Sequence, residues 1–244
     1  MAWRISAAKW NRRRSAARSR CVLLGGAVGL DPRFAAWWMI GHAHMLDAWI
    51  GWSTSPRQSL AQARALAEKA IAMDESLDEP YVTLAMVYQL RGEHEGAVPA
   101  ADRAVALQPD AAGANAYLAR ILTYAGRPAE AIEAARKAMR LAPRYQADFV
   151  LFLGRAYRAA GRCEQAIGAY RRGHELNPSG FPAHSGIAVC YRRPGREAEA
   201  RAVAPEMLKA MPSYSLAFHA RVNPYRNPAD LERDLSDVRA LGFK

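Results

Sequence analysis

The chain has 244 residues, 51% of them hydrophobic and 23% charged, with a formal net charge of +11. Those proportions exclude disorder along the whole length, and no apolar run approaches the roughly 18 residues of a membrane-spanning helix. Residues 1–30 carry seven of the 34 lysines and arginines and no acid, which leaves 27 basic against 23 acidic residues for the rest. The excess positive charge is therefore concentrated at the N-terminus and is not a chain-wide footprint for nucleic acid.

The first segment, residues 1–32, is basic and then briefly apolar. Arg4, Lys9, Arg12, Arg13, Arg14, Arg18 and Arg20 surround Trp3 and Trp10, and the apolar stretch from Val22 to Leu30 is broken by Gly25, Gly26 and Gly29. The order imitates a secretory signal. Cleavage after Ala27-Val28-Gly29 would leave only Val22 to Gly26 as the apolar core, shorter than the roughly seven residues a signal requires. The segment is read as a disordered or poorly packed tail. Its alternative role is to bind nucleic acid or an anionic membrane surface, while the body is not expected to bind either. Cys21, Cys163 and Cys190 are odd in number and widely spaced. They exclude a disulfide framework and a CxxC metal site, and fit a reducing, cytoplasmic setting.

A period dominates the remainder. Pro109, Pro143, Pro178 and Pro212 are spaced 34, 35 and 34 residues apart, and Gly92, Gly126, Gly161 and Gly195 repeat the same steps. So do Ala97, Ala131, Ala166 and Ala200, and so do Ala85, Ala119, Gly154 and Ala188. Tyr88, Leu122, Tyr157 and Tyr191 form a fifth column. Each unit reads as two helices: apolar residues recur at helical spacing through Tyr81, Leu84, Ala85 and Tyr88, and Gly92 supplies a left-handed C-cap. A second helical stretch then runs to Leu107 before Pro109 stops it. The small columns mark close helix approach, and one such hairpin cannot bury its apolar face alone, so the units must stack.

These columns resemble the tetratricopeptide repeat, a 34-residue helix–turn–helix. The resemblance covers about residues 33–214 and implies an all-α, right-handed solenoid of about five hairpins. An earlier unit contains Ile40-Gly41 and Ala63, Ala67 and Ala70. Its Gly41 lies 44 residues before Ala85, so about ten extra residues are expected between its helices, around residues 49–56. Pro205 falls inside the last repeat's second helix, where proline ordinarily costs about 3 kcal/mol, so that repeat is expected to be kinked or loosely packed. Residues 215–244 are expected to form a C-terminal helical cap: a short helix over 215–221, a turn over 223–227, and an amphipathic helix over 228–241 with Leu231, Leu235, Val238 and Leu241 on one face. The long first repeat, Thr123-Tyr124-Ala125-Gly126-Arg127-Pro128 and Pro224-Tyr225-Arg226-Asn227-Pro228 are also similar to the tetratricopeptide tails of bacterial class III adenylate/guanylate cyclase-type proteins. The catalytic domain of those proteins has no counterpart here, so that similarity implies a regulatory part of a nucleotide-cyclase signalling system and no cyclase activity.

No catalytic residue, metal ligand or cofactor is assigned. His42 and His44 are two apart on a helix and point to different sides. Glu93-His94-Glu95 lacks the HExxH spacing, and the glycines at 25–29 lack the lysine and Ser/Thr of a phosphate-binding loop. Cys163 and Cys190 are read as ordinary small residues. In arrays of the resembled kind the first helices line a peptide-binding groove. The columns that face it carry Arg120 and Arg155, then Arg158 and Arg192 one turn on, with Arg193 beside them, and Met86, Gln89 and Tyr124 nearby. Asp148 is the main opposing charge. Guanidinium forks suit carboxylates, so the expected ligand is an acidic or C-terminal peptide of a partner protein. Val82 and Met86 stand where the lysine and asparagine of chaperone-binding relatives would be, which argues against a chaperone tail. Homo-oligomerisation through the edge of the last repeat is left open. The leading reading is a non-enzymatic scaffold or regulatory subunit.

Overall fold

A helix that ends in glycine can reverse within three residues, and the repeats turn in this way. At Gly126 the backbone adopts φ +81°, the left-handed region that glycine enters without strain. The Gly126 amide donates to Thr123 and the Arg127 amide to Leu122, the paired bonds of a Schellman cap. Gly92, Gly161 and Gly195 repeat that conformation, and the 6→1 bonds that follow them end on Tyr88, Tyr157 and Tyr191. The Gly and Tyr/Leu columns thus share one backbone motif: the fifth column supplies the carbonyl that closes each cap.

The computed structural model describes residues 36–142, 147–177, 181–211 and 214–243. Among them the chain is all-α, with twelve helices forming stacked hairpins. The helices are α1 (Ala36–Trp49), α2 (Pro56–Met73), α3 (Asp78–Leu90), α4 (His94–Leu107), α5 (Ala112–Tyr124) and α6 (Pro128–Leu141). They continue with α7 (Ala147–Ala159), α8 (Cys163–Leu176), α9 (Phe181–Arg192), α10 (Glu197–Ala210), α11 (Leu216–Val222) and α12 (Pro228–Arg239). The N-terminal readings, together with Pro143, Pro178 and Pro212, lie outside the described residues.

The chain divides into two compact units, Met1–Gln108 and Pro109–Lys244. In the first, α1 pairs with α2 and α3 with α4, and α3 packs on both α1 and α2. The close approach of the first hairpin is set at Gly41, where a Cβ would lie 3.1 Å from the Ala63 carbonyl oxygen. The ten extra residues of this repeat are not confined to its turn. Relative to the second hairpin, three lengthen α1 beyond Gly41, three widen the turn and four lengthen α2. The widened turn is closed by the Trp52 and Ser53 amides, which both donate to the Asp47 carbonyl.

In the second unit the hairpins are α5/α6, α7/α8 and α9/α10. The first helices α5, α7 and α9 lie side by side, each next to its own second helix. Ala119, Ala131, Ala166, Ala188 and Ala200 are fully buried, as the close-approach columns require. Tyr170 of α8 is wedged between two glycines, Gly154 of α7 and Gly186 of α9. Arginines of one repeat also reach the tyrosine of the next: Arg136 donates to the Tyr157 hydroxyl (3.1 Å) and Arg171 to that of Tyr191 (2.6 Å). Helix α10 runs through Pro205 without interruption, with Ala200 and Met207 buried on either side of it. Pro205 is exposed, so its ring lies on the solvent side of the helix. Among the described residues no helix is long and apolar enough to cross a membrane.

Candidate functional site

The C-terminal helices are built from local signals. Ser215 caps α11 by accepting from the Phe218 amide, and Asn227 caps α12 by accepting from Ala229, with Pro228 at the first helical position. Between them, residues 223–227 form the turn. This segment lies across the first helices of the second unit, over the arginines that the sequence assigns to a groove.

Contact begins at α5. Arg120, fully buried, donates to the Val222 carbonyl (3.2 Å) and lies 5.0 Å from the centre of the Tyr124 ring. Burial pulls its guanidinium down to about 10, which still leaves it charged at neutral pH. The Tyr124 hydroxyl donates to Asn223 Oδ1, the Arg226 amide donates to the Tyr124 carbonyl, and Tyr124 meets Tyr225 edge to face.

The centre is a buried charge cluster. Arg158 of α7 and Asp234 of α12, with side chains 4% and 1% exposed, form an ion pair at 2.9 Å. Asp234 also accepts from Arg193 (2.7 Å) and from the Tyr225 hydroxyl (2.7 Å), and lies 3.5 Å from His219 Nε2. Arg158 donates in turn to Tyr225. Burial alone would raise the Asp234 carboxyl, but Arg158, His219 and Arg193 hold it well below the usual carboxylate range. Further along, Asp237 bridges Arg192 (3.3 Å) and Arg193 (3.2 Å), and Arg192 also pairs with Glu197.

Of the residues singled out in the sequence, Arg120, Tyr124, Arg158, Arg192 and Arg193 are therefore brought together beneath the chain's own C-terminal segment. Arg155 shares α7 with Arg158, is 7% exposed, and lies over the Phe152 ring. Met86 and Gln89 belong to α3 of the first unit, where both are fully buried. Asp148, expected as the main opposing charge, opens α7, where the charges of Arg155 and Arg120 act on its carboxyl, while Asp234 and Asp237 pair with Arg158, Arg192 and Arg193. The sequence reading missed these two carboxylates, along with His219, Asn223 and Tyr225. The available signal was the i, i+4 spacing of Asp234 and Val238, which puts both on the buried face of α12.

His42 and His44 do not converge: His42 Nδ1 is hydrogen-bonded to Thr83 Oγ1 (3.2 Å). Among the described residues no three His, Cys, Asp or Glu side chains are grouped to hold a metal ion. A concavity of about 510 Å³ opens between α8, α9 and α10, lined among others by Arg171, His174, His184, Tyr191 and Glu206. The two imidazoles pack edge to face at 4.7 Å, and burial, then the neighbouring His174, lowers His184.

The tetratricopeptide repeat family matches residues 82–145 and 152–215. Among solved structures, the Cut9–Hcn1 hetero-tetramer of the APC/C superposes with a TM-score of 0.69 at 20% identity, over 85% of this chain and 39% of that one. This chain therefore spans well under half of that protein. PilW, a type IV pilus biogenesis factor, gives 0.62 at 19% identity over 84% of this chain and 89% of its own. A thermophilic tetratricopeptide repeat protein of Thermus thermophilus, TTC0263, gives 0.59 at 21% identity over 82% and 100%. At such identities these likenesses establish the fold alone. No curated protein matches the sequence. Arrays of this architecture serve as protein–protein interaction modules through their extended surfaces. With the repeat matched over more than half its length, and with its cap glycines and buried small columns in place, the chain belongs to the tetratricopeptide repeat family.

Proposed function

We propose that this chain is a non-catalytic interaction module whose second unit recognises an acidic peptide through the arginines of its first helices, and that its own C-terminal segment holds that place in the free protein. The observation that carries the reading is the seat of Asp234: a carboxylate on a short helix is received by Arg158, Arg193 and Tyr225 together. Guanidinium forks on neighbouring helices give directional donors for carboxylates, so a partner presenting Asp or Glu at helical spacing has the matching chemistry. In this reading residues 33–214 are the array and 215–244 its cap, and a partner competes with the cap instead of entering an open groove. Interaction roles of this kind are consistent with the assemblies named for Cut9–Hcn1 and PilW.

The resemblance to cyclase-linked tails has no separate structural support. Tyr225 and Asn227, which carry part of it, serve the cap directly by binding Asp234 and by starting α12. The test is uptake of a labelled synthetic peptide of residues 228–243. A chain carrying Asp234→Asn and Asp237→Asn should bind it in trans and wild type more weakly, because its own segment competes. Adding Arg158→Gln to the double variant should abolish uptake. No binding to the double variant sinks the reading.

A further inference from the structure

The C-terminal segment, residues 214–243, is tied together by its own side chains. The Tyr214 hydroxyl is hydrogen-bonded to His219 Nδ1 (2.6 Å), the Tyr214 and Phe243 rings meet edge to face at 5.0 Å, and the Tyr225 hydroxyl donates to Asp234 (2.7 Å). Helix α11 packs on α12. The bonds that seat the segment reach back past α10, the helix it follows. Val222, Asn223 and Arg226 are held by Arg120 and Tyr124 of α5, Tyr225 and Asp234 by Arg158 of α7, and Asp237 by Arg192 and Arg193 at the end of α9. The link from α10 is short, Met211-Pro212-Ser213-Tyr214-Ser215. Proline disfavours a helical backbone in the residue before it. Met211 is accordingly extended (φ −140°, ψ 93°), and so is Ser215 at the far end (φ −147°, ψ 165°).

We infer that two copies of this chain exchange their C-terminal segments, so that residues 214–243 of each are seated on the α5, α7 and α9 arginines of the other. Three observations carry this. The first is complementarity: the seat presents Arg158, Arg192 and Arg193, and α12 answers with Asp234 and Asp237. The same ion pairs form whether seat and segment belong to one chain or to two. The second is the segment's internal bonding, which lets it move as a unit. The third is the link. It is short and extended at both ends, which places the hinge at residues 212–214. A short link restricts how a segment folds back on its own chain and so favours exchange. Every seat in the exchanged pair is filled, so assembly closes at two copies. Joining two chains costs freedom of motion, so the dimer depends on concentration. The exchange goes beyond the acidic-peptide reading and does not depend on it.

The experiment refolds the full chain from urea at high and at low concentration and measures its mass by light scattering after size exclusion. The concentrated solution should give a dimer and the dilute one a monomer. Asp234→Asn with Asp237→Asn should leave only monomer, with circular dichroism showing that the repeats stay helical. Inserting about six Gly/Ser residues after Pro212 should also leave monomer, because the segment then folds back on its own chain. Mixing tests the exchange itself. A chain carrying Arg158→Gln and Arg193→Gln, refolded together with the Asp234→Asn, Asp237→Asn chain, should give a heterodimer although neither dimerises alone, since one intact segment meets one intact seat across chains. A chain that is monomeric at every concentration overturns the inference. So does a dimer that survives the aspartate pair or the inserted link, and so does a mixture that stays monomeric. Peptide uptake is read separately: a strictly monomeric chain that still binds the acidic peptide loses the exchange and keeps the acidic site.

Discussion

Asp234 has almost no contact with water, yet it carries a full charge, because two guanidiniums and a phenol donate to it. Removing that charge takes the carboxylate partner from the buried Arg158, and breaking one side of a buried pair typically costs roughly 3–5 kcal/mol. Asp234→Asn should therefore lower unfolding stability in urea by about that amount, and far more than Asp237→Asn, whose side chain reaches solvent (13% exposed). The pH dependence has a definite sign. The folded carboxyl is held below its unfolded value, so its contribution is present above the unfolded value and is lost as pH falls through the folded one. The stability gap between wild type and Asp234→Asn should stay constant from neutral pH to about 5 and close only below about 3.9. A gap that closed between pH 7 and 5 would place the stabilisation elsewhere, with a histidine as the first suspect. The sequence shows why this residue was hard to find. The pattern Leu231, Leu235, Val238, Leu241 assigns α12 an apolar inner face, but the structure buries Val238 and Asp234 and leaves the three leucines only half-buried. Periodicity measures what a helix would bury against oil. The surface beneath α12 carries arginines from positions 41 and 76 residues upstream, and local spacing holds no information about them.

At the scale of the helix pair, the glycine and alanine columns were legible, because each answers to a backbone requirement that only one or two residue types meet. Gly126 supplies a left-handed cap, and the alanine columns supply approach. What the columns could not show is a compensation between neighbours. Gly154 stands where the other repeats have alanine because the Tyr170 ring lies over it, at 2.9 Å from where a Cβ would sit, and Gly186 presses the same ring from α9 at 2.2 Å. Glycine inside a helix normally costs about 1 kcal/mol relative to alanine, so Gly186→Ala on an open face would stabilise. Here Tyr170 is fully buried and has no room to yield. Overpacking then reverses the sign, and Gly186→Ala should destabilise by about 1–3 kcal/mol. Gly126→Ala should lose about 1–2 kcal/mol by a different route, the left-handed backbone, since nothing lies within 4 Å of its Cβ position. Adding Tyr170→Leu separates the two: it should rescue Gly186→Ala and leave Gly126→Ala unchanged in a denaturation series. The ten extra residues of the first repeat teach a related point. Their number followed from the shift of one glycine, but their distribution did not, since helix length is set by how far α1 and α2 keep contact and not by the period.

Over the whole molecule, the net charge of +11 is a sum of two unlike parts. The arginines of the repeat body are largely answered within it. Arg158, Arg192 and Arg193 pair with Asp234, Asp237 and Glu197, and on the surface Arg64, Arg127, Arg136, Arg172 and Arg196 each pair with a nearby glutamate. Surface pairs of this kind add little stability, but they cancel the local field that a polyanion would feel. The seven basic residues of positions 1–30 have no acid among them, so their charges add instead of cancelling. Polyanion binding depends on the number of cations that act together on closely spaced anionic groups, and each one that engages contributes to the salt dependence. Two variants with the same change in net charge should therefore behave differently on immobilised heparin. Arg12→Gln, Arg13→Gln and Arg14→Gln together should move elution to clearly lower salt. Arg57→Gln, Arg140→Gln and Arg162→Gln, at exposed positions of the body, should move it much less. If both triple variants shift equally, retention follows net charge alone, and the division of the chain into a basic N-terminal segment and a locally balanced repeat body loses its electrostatic meaning.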